Sequence, residues 1–137
     1  MTVVDPAALE VARDGVQVGG SDAESFLQGQ LSQNVAGLTR GEGRWSFLLE
    51  PTGKVVAWLR VSRTGDDEFL LDVDHGSGAA VVERLKRFLI RISCHVEPVA
   101  LQMLAVRGPG SSDVAAEGAI GLDPAWPGVE GLDPVSY

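Results

Sequence analysis

The sequence has one cysteine, Cys94, so no disulfide framework staples it. Its two histidines, His75 and His95, do not form a zinc-ligand spacing. Cys94 and His95 are adjacent on an expected strand, which sends their side chains to opposite faces and rules out a joint metal or nucleophile–base role there. Cys94 reads as an ordinary buried residue and His95 as a surface one. No apolar run approaches the ~18 residues of a membrane span. The amino terminus also lacks a basic stretch leading into an apolar one, so the expected location is cytoplasmic. Positive charge is scarce: 11 Lys and Arg against 19 Asp and Glu give a net charge of −8, which weighs against nonspecific binding to nucleic acid or anionic lipid. Gly41 and Gly43 are not a phosphate loop, because no Lys-Ser/Thr follows them and G-x-G-x-x-G is absent. Internal repeats and low-complexity tracts are missing as well.

What remains is one domain's worth of chain, 137 residues with 45% apolar content, enough to bury a modest core. It is organised around Phe26 to Val61. Ser21 and Glu24 form an S-x-x-E capping box, which predicts a short helix ending near Gly29. Leu31 to Gly43 reads as a polar loop. With the end of the helix it presents Gln28, Gln30, Ser32, Gln33 and Asn34, neutral groups that donate and accept hydrogen bonds and suit a flat polar heterocycle, although a plain solvated connection has the same composition. Trp45, Phe47 and Leu49 then alternate with Ser46 and Leu48. After a turn at Glu50 to Gly53, Val55, Ala57, Leu59 and Val61 alternate with Val56, Trp58 and Arg60, which predicts a hairpin.

Either side of this stretch, residues 1 to 14 read as a lead-in and Gly15 to Gly19 as a first strand. Thr64 to Asp67 is a turn signal, and Phe69, Leu71 and Val73 mark another strand. On that strand Asp72 and Asp74 read as pointing outward to water, with a carboxylate pair for acid–base work as the alternative. Gly78 to Arg91 has the clearest helical stripe, Val81, Val82, Leu85, Phe88 and Leu89, with Ser77 as expected N-cap. Strands follow through Cys94 to Pro98 and Leu101 to Val106, with Pro98 arguing for an edge. From Arg107 onward, ten of 31 residues are Gly or Pro, so this tail is expected to build no regular structure of its own and to pack on the lobe or on a partner chain. The division is thus a lobe over 1–106 and an acidic Gly/Pro-rich tail over 107–137. The element order predicts an α+β fold: a ferredoxin-like layer, a mainly antiparallel sheet with helices packed on one face.

FLQGQLSQNV, then Gly41, Gly43 and Trp45, then LLEPTGKV, FLLDVD and LKRFLIRISCHVEP, resemble in order the amino-terminal half of the folate-binding YgfZ proteins and of the glycine cleavage T-protein (aminomethyltransferase). The resemblance implies tetrahydrofolate or a derivative as ligand. It also implies a cavity shared with further lobes, hence a homodimer or a chain supplying the missing half. T-proteins carry a catalytic aspartate shortly after the hairpin glycine; here that place reads Gly53 to Leu59, with Ala57 and Trp58 where the carboxylate belongs. The K-G-C-Y-x-G-Q-E segment of YgfZ proteins is absent too. The reading that follows is a noncatalytic folate-binding module of YgfZ type, linked to iron-sulfur protein assembly or repair or to one-carbon metabolism. A folate-dependent aminomethyl or one-carbon transferase, and a lobe acting through protein contacts alone, stand as alternatives. The expected ligand contacts are Gln30, Gln33 and Asn34 as hydrogen-bonding groups, Trp45 or Trp58 as a stacking surface, and Arg44 or Arg60 near ligand carboxylates. For Trp45 and Trp58 the other reading is core packing.

Overall fold

The computed structural model describes residues 7–108, 110 and 119–137. The fold is α+β, with two antiparallel sheets and two helices. The larger sheet has the order β3-β4-β5-β2-β6, formed by Gly43–Leu49, Val55–Gly65, Glu68–Asp74, Arg13–Gly19 and His95–Val99. Helices α1 (Ala23–Gln30) and α2 (Gly78–Lys86) cover one of its faces. The other face is covered by a second sheet of order β1-β7-β9-β8, formed by Ala7–Val11, Gln102–Arg107, Gly131–Ser136 and Ile120–Leu122.

Strand β5 shows why three layers form. Phe69, Leu71 and Val73 point to the helix-side core with Leu27, Val81 and Leu85, while Leu70 packs on the other side with Met103, Leu122 and Val135. A strand buried on both faces reads as a near-continuous apolar run, as FLLDV does. Each fully buried Leu or Val contributes about 1.5–3 kcal/mol, so the two apolar clusters hold the layers together. Pro98 lies on β6, an edge strand, where its missing N–H costs no ladder bond.

Several expectations change. The lead-in contains β1, paired along its length with β7. Asp22, not Ser21, occupies the N-cap of α1 without a side-chain cap bond; its carboxylate instead accepts the Ser93 amide at 2.7 Å. Helix α2 stops five residues early. Phe88 and Leu89 bond back three residues, to Leu85 and Lys86, which tightens the last turn, and Arg91 turns left-handed at φ 57 to lead into β6. The segment after Arg107 contributes β9, which pairs with β7, and β8, which pairs with β9, because ladder bonds need only backbone groups on the partner side. Gly20 is required where it stands: φ is +122, and a Cβ would come within 2.3 Å of the Ser93 carbonyl.

Candidate functional site

Antiparallel register sets Trp45 opposite Arg60, Arg60 opposite Asp72, Asp72 opposite Gly15 and Gly15 opposite Val99, a row across the sheet face that looks toward the second sheet. The middle of the row, Arg60, Asp72 and Gly15, is buried beneath the second sheet. Arg60 donates from Nε to Asp72 Oδ1 at 2.9 Å and from Nη1 to Asp133 on β9. Arg13 donates from Nε to Asp72 Oδ2 at 3.0 Å and from Nη1 to Asp74 at 2.8 Å, and Arg107 closes the cluster on Asp133. Burial opposes the Arg60 charge, but Asp72 and Asp133 outweigh it and raise its pKa above the usual value.

Asp72 is therefore not on a water-facing surface: it is fully buried between two guanidinium groups, whereas Asp74 is exposed. The alternation was read correctly; the layer that covers one side of it was not. Arg60 is likewise committed to protein carboxylates and is 1% exposed, so it does not reach a ligand's carboxylates from an open surface.

The other expected contacts fall into two groups on opposite sides of β3. Gln30, Gln33, Asn34 and Arg44 lie on the helix side. There Gln30 Oε1 accepts from Arg84 at 3.0 Å, the Gln33 amide donates to Ser46, and Arg44 donates to the Asn34 carbonyl at 3.0 Å. Gln28 Oε1 accepts two backbone amides, Val35 and Ala36, which closes the loop on itself. Trp45 and Trp58 stand on the other side, stacked on each other at 5.6 Å between ring centroids, with Phe47 tilted against Trp58 at 4.7 Å. Trp126, from the β8–β9 loop, also stacks on Trp45 at 5.4 Å, and Arg13 and Arg60 lie 5.4 and 5.2 Å from the same ring. No single surface joins the two groups.

An opening adjoins this row at Arg13. A groove of ≈ 900 Å³ runs between the β1–β2 junction, the first turn of α2 and the β6–β7 turn. Val11, Val82, Val99, Leu101 and Met103 give it apolar walls. Glu10, Arg13, Asp14, His75, Glu83 and Gln102 supply its polar groups. Asp14 Oδ2 accepts the Gly76 and Gly78 amides, both at 2.9 Å, and Oδ1 lies 3.2 Å from His75 Nδ1. Asp14 thus caps α2 in place of Ser77, which makes no side-chain cap bond. The Gly78 amide is the main reason its pKa falls below the usual 3.8; partial burial opposes the shift, and Gly76 and His75 add to it. A lowered carboxylate pKa stabilises the fold above the unfolded value, and that gain is lost as pH falls through the folded one. Asp14→Ala should therefore cost about 1 kcal/mol at neutral pH, by urea unfolding, with the difference from wild type shrinking below about pH 4.

Sequence reasoning missed Arg13, Asp14 and Trp126. Arg13 and Asp14 sat in a stretch taken as a lead-in. Trp126 had one local signal, its place between two prolines in PAWPG, a stiff context for a large aromatic. Cys94 is half-buried and its thiol pKa is pushed up by burial and by Asp22, which keeps it protonated. Among the described residues no group of His, Cys, Asp or Glu is arranged to hold a metal, and no helix is long and apolar enough to cross a membrane.

The family model described as the GCVT N-terminal domain matches residues 12–123. Sarcosine oxidase subunit alpha of Corynebacterium sp. (strain U-96) is 28% identical over 114 residues, 79% of this chain and 12% of that protein. Aminomethyltransferase of Saccharopolyspora erythraea is 27% identical over 103 residues, 74% of this chain and 28% of that protein. The chain spans well under half the length of these relatives. The crystal structure of glycine cleavage system aminomethyltransferase T from Bartonella henselae shares the fold, with TM-score 0.75 and 20% identity over 96% of this chain and 42% of that one.

Proposed function

The chain belongs to the GCVT N-terminal domain family, and from that premise we propose that it is a noncatalytic folate-binding module of YgfZ type, serving iron-sulfur protein assembly or repair or one-carbon metabolism. The observation that carries the reading is the groove beside Arg13. Its ≈ 900 Å³ lies within the range of small-molecule sites, apolar walls with a few polar groups suit a flat ring system, and free carboxylates suit a pterin's amino–amide edge, which presents N–H donors. Glu10 and Glu83 have no ion-pair partner among the described residues.

Two features support the noncatalytic part. Ala57 packs toward the helix-side core and Trp58 stands in the indole stack, so neither position offers a carboxylate. Asp72, the buried acid on the same face as Trp58, is held by two arginines and closed off from solvent. A one-carbon transfer reaction would have to draw its carboxylate from somewhere other than this hairpin.

A second reading, action through protein contacts, is favoured by the exposure of Phe47, Trp58, Val55 and Trp126, apolar surface of the kind a partner chain or a second copy covers. One of the relatives is named as a subunit, which agrees with a partner of that sort. Urea unfolding with and without 5-formyltetrahydrofolate separates the readings. A bound ligand at about a hundredfold excess over its Kd should add about 2.7 kcal/mol. No added stability, in protein that sediments as a concentration-dependent dimer, overturns the folate reading in favour of the second.

A further inference from the structure

We propose that residues 125–129 of the β8–β9 loop are a displaceable lid over a cryptic stacking site: Trp126 occupies, against the Trp45 indole, the place of a planar heteroaromatic ring. The proposal takes the identity of the ring, a pteridine, from the folate-type reading. It assigns a site and a gate separate from the groove.

Trp126 is poorly placed for a core residue and well placed for a stand-in. Its ring stacks on Trp45 at 5.4 Å with an interplanar angle of 26°, yet 49% of the residue is in water. About half of the residue is covered in this position, and an incoming flat ring of similar size restores both that burial and the stacking. Trp45, by contrast, is fixed. Its Nε1 donates to the Pro124 carbonyl at 2.9 Å, Trp58 stacks on it, and the two guanidinium groups against it are pinned by Asp72, Asp74 and Asp133. When Trp126 moves, the platform stays.

The moving part is bounded by the loop's own chemistry. Asp123 N bonds to the Gly41 carbonyl at 2.9 Å and Pro124 is buried, so one end is anchored; β9, with Asp133 in the ion cluster, anchors the other. Between them Ala125 holds φ +63, a conformation that L side chains rarely adopt, and Gly128 holds φ +74. Residues 126–130 are all exposed. Glu130 is held through its carbonyl by the Gly108 amide, so the part that moves is 125–129, which carries both left-handed residues and no ladder bond of either sheet.

The ring this site takes is flat, of about indole size and electron-poor, because an electron-rich indole face stacks best on a ring of opposite polarisation. Folic acid, whose pteridine is fully aromatic, is the probe. Titrations of wild type, Trp126→Ala and Trp126→Leu by calorimetry, with near-UV circular dichroism to follow the indole stack and far-UV spectra to verify folding, test it. Both variants should bind folic acid at least fivefold more tightly than wild type, and folic acid should perturb the indole signal of the variants. Equal or weaker binding by the folded variants overturns the lid and leaves the folate reading standing. No binding by wild type or variants overturns both. Binding by the variants alone supports the lid and shows the stacking site closed in wild type.

Discussion

Arg60→Ala should lower folding stability by roughly 3–5 kcal/mol, the range for breaking a buried ion pair from one side. Asp72 is 0% exposed and Asp133 3%, and Arg60 is the residue that bonds to both. Removing it leaves two buried carboxylates sharing Arg13 and Arg107 at the margins, so the loss should fall toward the lower end if those side chains swing inward. Arg60→Lys should recover little, since an ammonium cannot reproduce donation from Nε and Nη2 to one carboxylate and from Nη1 to a second. Urea unfolding followed by tryptophan fluorescence measures it, with the exposed Lys54→Ala as reference, expected to change stability by less than ~0.5 kcal/mol. A loss below about 1 kcal/mol for Arg60→Ala would mean that the cluster does not fasten β9 to the larger sheet.

Ala79→Trp should weaken binding of 5-formyltetrahydrofolate by about ten- to a hundredfold, because forcing a filled space to admit a ligand costs about 1–3 kcal/mol. Ala79 is exposed on the first turn of α2 and lines the groove opposite the β6–β7 turn. An indole there projects into the opening and not into either core. Stability should therefore stay within ~0.5 kcal/mol of wild type, which separates lost binding from lost folding. Unchanged affinity in the folded variant would move the ligand out of the groove.

The hairpin of β3 and β4, strand β5 and the start of α2 were legible because each is a local pattern: alternation in WSFLL and FLLDV, a helical stripe from Val81. The tail was not, because Gly131–Ser136 becomes a strand through backbone bonds to Gln102–Arg107, and local composition does not report a partner nearly 30 residues away. The misreading of Asp72 followed from the tail. Alternation placed it opposite Leu71 correctly, but whether that face meets water depends on what the rest of the chain lays over it. The polar loop misled in a related way. Gln28, Gln30 and Gln33 have the chemistry of ligand contacts, and the structure turns Gln28 and Gln33 to the loop's own amides and Gln30 to Arg84. The groove was invisible because Arg13, Asp14, Gly78 and Val99 come together only through strand pairing and the capping of α2 by Asp14.

The central claim, that this chain alone holds a folate-type ligand, is tested most directly by calorimetric titration of the purified protein with 5-formyltetrahydrofolate at neutral pH. Saturable binding with a micromolar Kd and one ligand per chain is the predicted result. Absence of heat across concentrations, together with no competition by other folates in protein shown to be folded, would contradict it and leave the family likeness as one of fold.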